Sequence, residues 1–247
     1  QTMFFFDPMY LIFMIPAFIL MGITSWYVKH AYNKWSQVRT NSGLTGAQAA
    51  EQLISRSVYS GVEGSAELRN VRILGIGGNL TDHYNPQDKT LHLSPGVANS
   101  ASVASVAIAA HELGHALQDA EGYVPLRFRS MLVPAVNIGS NLGWILIMVG
   151  LFLRSTNLGT SIAWIGILFF AGGAVFALAT LPVEFNASAR AKQLLAQSGI
   201  IRTEEETRGV NQVLNAAALT YVAGLVTAVL QLLYYVLLVG GGGRRRD

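Results

Sequence analysis

Four long apolar stretches separate the polar segments of this chain, and each predicts a helix that crosses a membrane. The stretches are residues 10–28, 131–153, 161–181 and 219–239. Each approaches or exceeds the ~20 residues that span a ~30 Å hydrocarbon layer, and none contains a charged residue. A soluble core helix of this length would carry a polar stripe, so the pattern predicts a multi-pass membrane protein.

Two helices are predicted in the polar segment between the first two stretches. Thr45 and Gln48 form a capping-box pattern that opens a helix running to about residue 58. A second helix, rich in small residues, is expected to begin near Ser100 or Ser102 and to end within 119–122.

Three short strands are predicted in the same segment. Residues 71–76 have the β-branched character of a strand and lead into a glycine-rich region. Residues 80–85 and 90–94 flank the turn-like residues 86–89, and together they predict a β-hairpin.

The segment beyond the third stretch predicts two further helices. Pro182 is expected to mark a break, after which residues 183–197 form a helix that stops at Gly199. Thr203 and Glu206 then form a second capping box, which opens a helix running into the fourth stretch.

The composition agrees with a membrane protein and argues against other classes. The chain is 51% apolar and 13% charged, which is unlike an ordinary soluble domain. The net charge is +3 and the pI is near 9.3, but the basic residues lie mostly beside the apolar stretches. No nucleic-acid partner is therefore expected. Cysteine is absent, so we expect neither a disulfide framework nor a thiolate metal site.

The first stretch is expected to be a retained anchor with its N-terminus outside the cell, and Met3 is expected to be the natural start of the chain. A cleaved signal peptide would have basic residues before its apolar core, whereas Asp7 precedes this one and the basic residues follow it. In this orientation nine basic residues near the spans face the cytoplasm, and four, Arg154 and the triplet 244–246, face outside. The triplet argues against this orientation if the fourth span is complete.

The sequence AAHELGHALQ, in the second predicted helix, contains the H-E-x-x-H pattern formed by His111, Glu112 and His115. Four residues of an α-helix advance ~6 Å and ~400°, so both imidazoles share a face with the carboxylate beside them. This spacing lets two histidine nitrogens bind one Zn²⁺ while Glu112 acts as the general base toward a water. The alternative is a helix with two buried or solvated histidines.

A catalytic zinc generally has three protein ligands, so a third ligand is needed from outside this motif. The downstream carboxylates are Asp119, Glu121, Glu184 and residues 204–206. The second and third stretches form a hairpin through the membrane, so the residues before and after the hairpin lie on one side. His115 precedes the hairpin closely and Glu184 follows it directly. Glu184 is therefore the expected third ligand.

The other carboxylates have simpler explanations. Residues 204–206 are the acidic first turn that a helix N-terminus favours. Asp119 is expected to point too far along its helix axis, and Glu121, near a helix end, is expected to be solvated. Glu184 itself could instead be an interfacial carboxylate that pairs with Arg190 or Lys192.

The residues EFNASARA, which begin at Glu184, resemble the glutamate helix of gluzincins, the zinc peptidases whose third ligand is a Glu on a second helix. The whole arrangement resembles the YugP-type membrane zinc metallopeptidases, which are distantly similar to HtpX-like and prenyl-protease-like enzymes. The resemblance covers nearly the whole chain, including LTDHYNPQDKTLHLS, AAHELGHALQ and LPVEFNASARA. It implies that His111, His115 and Glu184 bind one Zn²⁺ per chain and that Glu112 is the catalytic carboxylate.

One position departs from the gluzincin pattern. Many gluzincins have an Asp four residues after the ligand Glu, where it orients a zinc-bound histidine. This chain has Ser188 at that position. Ser188 could accept the same hydrogen bond more weakly, or Asn186 could supply it.

Stabilising a tetrahedral oxyanion requires a donor besides zinc. The candidates are His83, Tyr84, His92, Tyr123 and Arg190. Ordinary structural positions also explain them: a polar turn for the first two, a solvent-facing strand position for His92, and a headgroup anchor for Arg190. Strand 90–94 could pair with an extended substrate as an added strand, or simply cover one wall of the fold.

Together these patterns predict a mainly α, multi-pass membrane protein with four transmembrane helices. A juxtamembrane, zincin-like α+β catalytic portion is expected to contain the small β-hairpin. The expected segments are an anchor (1–28), a soluble catalytic portion (29–130), a transmembrane hairpin (131–181), a glutamate-ligand helix and connector (182–218), a last transmembrane helix (219–239) and a flexible basic tail (240–247).

The predicted function is a membrane-bound zinc metallopeptidase in a bacterial cell membrane, with its active site at the cytoplasmic face. Its partners would be the lipid bilayer and a peptide or protein substrate. A non-catalytic zinc-binding scaffold is the alternative, but a structural site would need a fourth protein ligand. A metal transporter would need ionisable residues inside the spans, and the four stretches have none. The patterns specify neither the substrate nor the oligomeric state.

Overall fold

The computed structural model describes residues 7–60 and 65–241 of the chain. Two predictions concern residues outside this part: the start at Met3, and the basic tail 240–247 from residue 242 onward. Both stay predictions.

Within the described residues the chain is mainly helical, as predicted. In chain order the elements are α1 (Pro8–Ser36), α2 (Gly46–Ser60), a 3-10 helix (Ser65–Asn70), β1 (Arg72–Gly75), β2 (His83–Asn85), β3 (Thr90–Leu93), α3 (Pro95–Ala98), α4 (Val103–Ala120), α5 (Val124–Phe152), α6 (Asn157–Ser198) and α7 (Glu204–Gly240).

Four of these helices, α1, α5, α6 and α7, are long and apolar enough to cross a membrane. They contain the four predicted stretches, except that α5 ends at Phe152, one residue before the predicted end. The prediction of four candidate membrane-spanning helices is confirmed.

The chain forms two compact units. The first comprises Gln1–Ile23, Phe128–Leu181 and Thr220–Asp247, and the second comprises Thr24–Arg127 and Pro182–Leu219. Each long helix therefore contributes one part to each unit. All residues of the H-E-x-x-H motif and the candidate ligand Glu184 belong to the second unit.

Glycines bring α5 and α6 into close contact within the first unit. A Cβ added to Gly150 would lie 2.4 Å from the backbone nitrogen of Ala163, and one added to Gly166 would lie 2.6 Å from that of Ile147. Small residues at such crossings let helices approach backbone to backbone in an apolar environment.

The second unit is built around α4, which packs against α2 and the small sheet. Most of α4 is buried. The turn before the motif is rich in alanine, whose small side chain lets the neighbouring elements pack closely against the helix. Both predicted capping boxes are confirmed. Thr45 and Gln48 exchange reciprocal bonds of 3.0 and 3.3 Å, and Thr203 and Glu206 exchange bonds of 2.9 and 3.2 Å.

The predicted strands form one three-stranded sheet in the order β1-β3-β2. The hairpin is confirmed: β2 pairs antiparallel with β3, placing His83 opposite His92 and Tyr84 opposite Leu91. β1 runs parallel to β3, a pairing that the sequence pattern did not predict. Leu91 and Leu93 are buried in a cluster that includes Ala109 of α4, and this packing fixes the sheet on the motif helix.

Strand 90–94 was open to two interpretations, and the one in which it pairs with an extended substrate is wrong. β3 is the central strand, so its two edges already pair with β1 and β2. A central strand has no free row of backbone donors and acceptors, and it cannot accept another strand.

The predicted break at Pro182 is also wrong, because α6 continues through it without interruption from Asn157 to Ser198. A proline inside a helix removes one backbone donor, which costs free energy but does not by itself end the helix. Val183 and Ala187 are fully buried on the next turn, and their packing holds the helix together. Gly199, with φ +63°, follows the last residue of α6 as predicted.

Candidate metal centre

The motif helix α4 begins at a well-formed cap. The N-cap Ser102 accepts a hydrogen bond from the backbone N–H of Ser105, and the helix then runs to Ala120. His111 and His115 are one turn apart on this helix, and their rings meet edge to face with centroids 4.9 Å apart. Both imidazoles therefore face the same space, as the spacing predicts.

Gly114 allows α6 to reach that space. A Cβ added to Gly114 would lie 2.5 Å from the backbone oxygen of Ala187, closer than two such atoms can approach. The two helices thus cross with no side chain between them. Any other residue at position 114 would push the two helices apart and move Glu184, which lies one turn before Ala187, away from the histidines.

Glu184 extends from α6 to both imidazoles. Its Oε2 atom lies 3.2 Å from Nε2 of His111 and 3.5 Å from Nε2 of His115. One potential ligand atom from each residue falls within 4.8 Å of the others. Glu184 is 2% exposed, so the carboxylate is withdrawn from water.

This donor set fits a zinc ion. Two ligands at ~2.0–2.1 Å from a tetrahedral zinc are separated by ~3.3–3.4 Å, and the two histidine-to-glutamate distances match that separation. Two imidazole nitrogens and a carboxylate oxygen are the ligands expected of a catalytic zinc that keeps one position open.

The second nitrogen of each imidazole also has a partner. Ser188 Oγ lies 3.1 Å from Nδ1 of His111, and Gln118 Oε1 lies 3.0 Å from Nδ1 of His115. Partners of this kind fix the tautomer of a metal-binding histidine and free its other nitrogen for the metal. Ser188 therefore lies where the sequence placed it, whereas Asn186 reaches His115 only through Gln118.

Gln118 is the residue that sequence reasoning missed. It lies three residues after His115, so helical spacing alone places it beside that imidazole. A pattern search for a carboxylate partner passes over it because its side chain is an amide.

Glu112 lies beside the two histidines at the edge of the sheet. Its Oε2 atom accepts a hydrogen bond of 3.1 Å from the backbone N–H of Tyr84 on β2. Burial raises the pKa of Glu112 above its usual value, although the nearby histidines oppose the shift. A raised pKa brings a carboxylate closer to the range in which it exchanges protons efficiently near neutral pH.

Tyr84 and Asp119 hold the sheet against α4. The Tyr84 hydroxyl donates to Asp119 Oδ2 at 2.8 Å, and Lys89 Nζ lies 2.5 Å from the same oxygen. Burial, together with Asp119, raises the pKa of the Tyr84 phenol well above its usual value, so the phenol stays protonated. Asp119 is thus bound to the sheet.

The remaining candidates form contacts with one another or with neighbouring residues. His83 and His92 stack on each other across the hairpin with ring centroids 4.7 Å apart, and His83 Nδ1 bonds to Thr81 O at 2.9 Å. Arg190 donates to Asn186 Oδ1 and to Glu121 Oε1, each at 2.7 Å, and lies over the Tyr123 ring.

Two expectations about carboxylates can be compared with the structure. Glu121 is exposed at the C-cap of α4, as expected, and forms an ion pair with Arg190 there. Arg190 and Lys192 were alternative partners for Glu184, but Arg190 bonds to Glu121 and Asn186, and Lys192 bonds to Asn215. Glu206, as expected, caps its helix: it accepts from the backbone nitrogens of 202 and 203.

Comparison with known proteins agrees with a zinc site in this chain. The profile of the family described as "Putative neutral zinc metallopeptidase" matches residues 10–240. A similar protein is the "Putative membrane protease YugP" of Bacillus subtilis (strain 168), which is 39% identical over 226 residues, covering 90% of this chain and 94% of that protein. No solved structure matches the chain. Because the match extends over nearly the whole sequence, the chain belongs to this family of neutral zinc metallopeptidases.

Proposed function

We propose that the chain is a membrane-bound zinc endopeptidase of the gluzincin type, in which His111, His115 and Glu184 hold one Zn²⁺ and Glu112 is the general base. One observation carries this proposal: a buried carboxylate oxygen on α6 lies 3.2 and 3.5 Å from the Nε2 atoms of two histidines on α4. Glu184 lies 73 residues beyond His111 in sequence, and helix packing brings the two together.

The residues of the chain divide the chemistry between them. When bound at this cluster, Zn²⁺ supplies a Lewis acid that lowers the pKa of a water toward ~7 and polarises a carbonyl. Glu112 takes the proton of the attacking water and later delivers it to the leaving amine. The Tyr84 backbone N–H holds Glu112 Oε2 in place, and we assign the proton transfer to Oε1.

Tyr84 and Arg190, two of the five candidate donors to the oxyanion, already donate to other residues. The Tyr84 hydroxyl already donates to Asp119, and Arg190 donates to Asn186 and Glu121. We therefore retain the stacked pair of His83 and His92, and the Tyr123 hydroxyl, as candidate oxyanion or substrate contacts. Both histidines lie on the hairpin whose Tyr84 backbone N–H reaches Glu112.

The substrate class follows from the family, whose members are described as peptidases, so we propose a peptide or a protein, with the lipid bilayer as the second partner. The zincin-like portion would comprise α4, the small sheet and the part of α6 that begins at Pro182. A non-catalytic zinc scaffold would leave Glu112 without a task, and the Glu112 variant below separates the two.

We also propose that the residues between the first two spans, including the motif, are cytoplasmic. The chain has no cysteine, so single-cysteine labelling of intact cells is direct. Ser65 is only 2% exposed and would react poorly, whereas Glu67 on the same 3-10 helix is exposed. Ser155, between α5 and α6, is also exposed.

A membrane-impermeant maleimide applied outside should label Ser155→Cys and spare Glu67→Cys, because the basic residues that flank the spans favour the cytoplasm. Both variants should react after permeabilisation, which controls for reactivity. Labelling of Glu67→Cys in intact cells, with Ser155→Cys protected, would reverse the orientation.

A further inference from the structure

Gln118 is a fully buried amide whose every polar atom is used. It lies on α4 with 0% exposure. Its Oε1 atom contacts Nδ1 of His115 at 3.0 Å, and its Nε2 atom donates to Val183 O at 2.8 Å and to Asn186 Oδ1 at 2.9 Å. A buried amide without partners is costly, so these contacts specify one arrangement of the side chain.

The direction of these hydrogen bonds follows from groups that can play only one role. The Val183 carbonyl only accepts, so the amide nitrogen of Gln118 must face it and the amide oxygen must face His115. That oxygen in turn only accepts, so Nδ1 of His115 carries the proton. Nε2 of His115 is then left as the lone-pair nitrogen that points toward Glu184.

Arg190 fixes the same hydrogen-bond directions from the side of Asn186. Arg190 is a donor only, and its Nε donates to Asn186 Oδ1 at 2.7 Å. Asn186 must therefore present its oxygen, which also accepts from Gln118 Nε2. Glu121 Oε1, at 2.7 Å from Arg190, and the ring of Tyr123 hold the guanidinium in place.

We propose that Gln118 is a positioning residue for the metal centre and that Arg190 acts through Asn186 to hold it. The proposal rests on the proposed function and deepens it. Val183 directly precedes Glu184. The Gln118 amide therefore connects the backbone next to Glu184 on α6 with the imidazole of His115 on α4. Gln118 thereby sets the tautomer of His115 and the separation of two ligands on different helices.

The test measures zinc affinity of the purified full-length protein by chelator competition, and it does not depend on turnover. Gln118→Met keeps a similar volume and removes all three bonds, and we expect it to weaken zinc binding about 10–100-fold. Gln193→Met is the matched control, because Gln193 is an exposed glutamine on α6 and should retain wild-type affinity.

Arg190, the outermost residue of this series of hydrogen bonds, provides a second variant if Gln118→Met fails to fold. Arg190→Met should weaken zinc binding several-fold and alter the visible spectrum of the Co²⁺-loaded protein, because the imidazole loses its fixed orientation. In the double variant with Gln118→Met, it should add almost nothing, since both substitutions break the same path.

A purely structural role would lower the melting temperature of the zinc-free protein and leave zinc affinity unchanged. Zinc affinity within twofold of wild type in Gln118→Met, or in Arg190→Met where Gln118→Met does not fold, would overturn the proposal, and so would independent, multiplicative effects of the two substitutions. Glu184→Ala, measured in parallel, separates this failure from failure of the metal site itself: if it also keeps full affinity, the metal site assignment fails first.

Discussion

Glu112→Gln is expected to lower kcat/KM by about 10²–10⁴-fold while the protein stays folded and keeps its zinc. The glutamine matches the glutamate in shape, and its oxygen can still accept the Tyr84 backbone N–H that holds Glu112 in place. It cannot take a proton from water. The large effect on turnover with no effect on zinc content follows because Glu112 handles protons and is not a ligand.

The experiment compares wild type and Glu112→Gln at equal zinc content, measured by elemental analysis of the same samples. Activity within tenfold of wild type would contradict the role of general base. It would also favour the alternative of a zinc-holding scaffold whose apparent hydrolysis comes from another protein.

Glu184→Ala is expected to purify with strongly reduced zinc and no activity. Losing one of three ligands should weaken metal binding by several kcal/mol, whereas losing an exposed carboxylate of an ion pair costs about 0–1 kcal/mol. Glu184 Oε2 contacts both histidine nitrogens, so its removal opens the cluster from one side.

Glu205→Ala is the matched control, because Glu205 is exposed in the first turn of α7 and should keep both zinc and activity. Glu121 is unsuitable for this purpose because it pairs with Arg190. Stoichiometric zinc with unchanged affinity in Glu184→Ala would move the third ligand elsewhere. Asp119 and His83 would be the next candidates, although Asp119 bonds to Tyr84 and Lys89, and His83 bonds to Thr81.

The features that the sequence predicted well are those set by local or one-dimensional rules. Charge-free stretches of sufficient length predicted the four candidate spans, because hydrocarbon excludes charge whatever the tertiary contacts are. The capping boxes at Thr45 and Thr203 formed as predicted because both partners lie within one turn. The shared face of His111 and His115 follows from helical period alone.

The features that were missed depend on partners far away in sequence. Pro182 lacks a backbone donor, but burial of the following turn keeps α6 continuous, and a local propensity cannot include that burial. β3 became the central strand only because β1 pairs with it in parallel, which no local pattern specifies. The ion pair of Glu121 with Arg190 likewise joins the C-cap of α4 to α6.

The candidate site shows the same division. The spacing of the motif predicted His111 and His115 as ligands. The transmembrane hairpin, which places the residues before and after it on one side, predicted Glu184 as the third. The contacts that orient them, above all the amide of Gln118 against Val183 O and Asn186, required knowledge of how α4 crosses α6. That crossing depends on Gly114, whose missing side chain carries no chemical signal of its own.

Zinc-dependent cleavage of an unfolded protein substrate by the purified full-length chain tests the central claim most directly. The account predicts cleavage by wild type, loss of cleavage after removal of zinc with a chelator, recovery when zinc is restored, and none with Glu112→Gln at any zinc concentration. Cleavage that persists in zinc-free protein, or that survives in Glu112→Gln, would contradict the account.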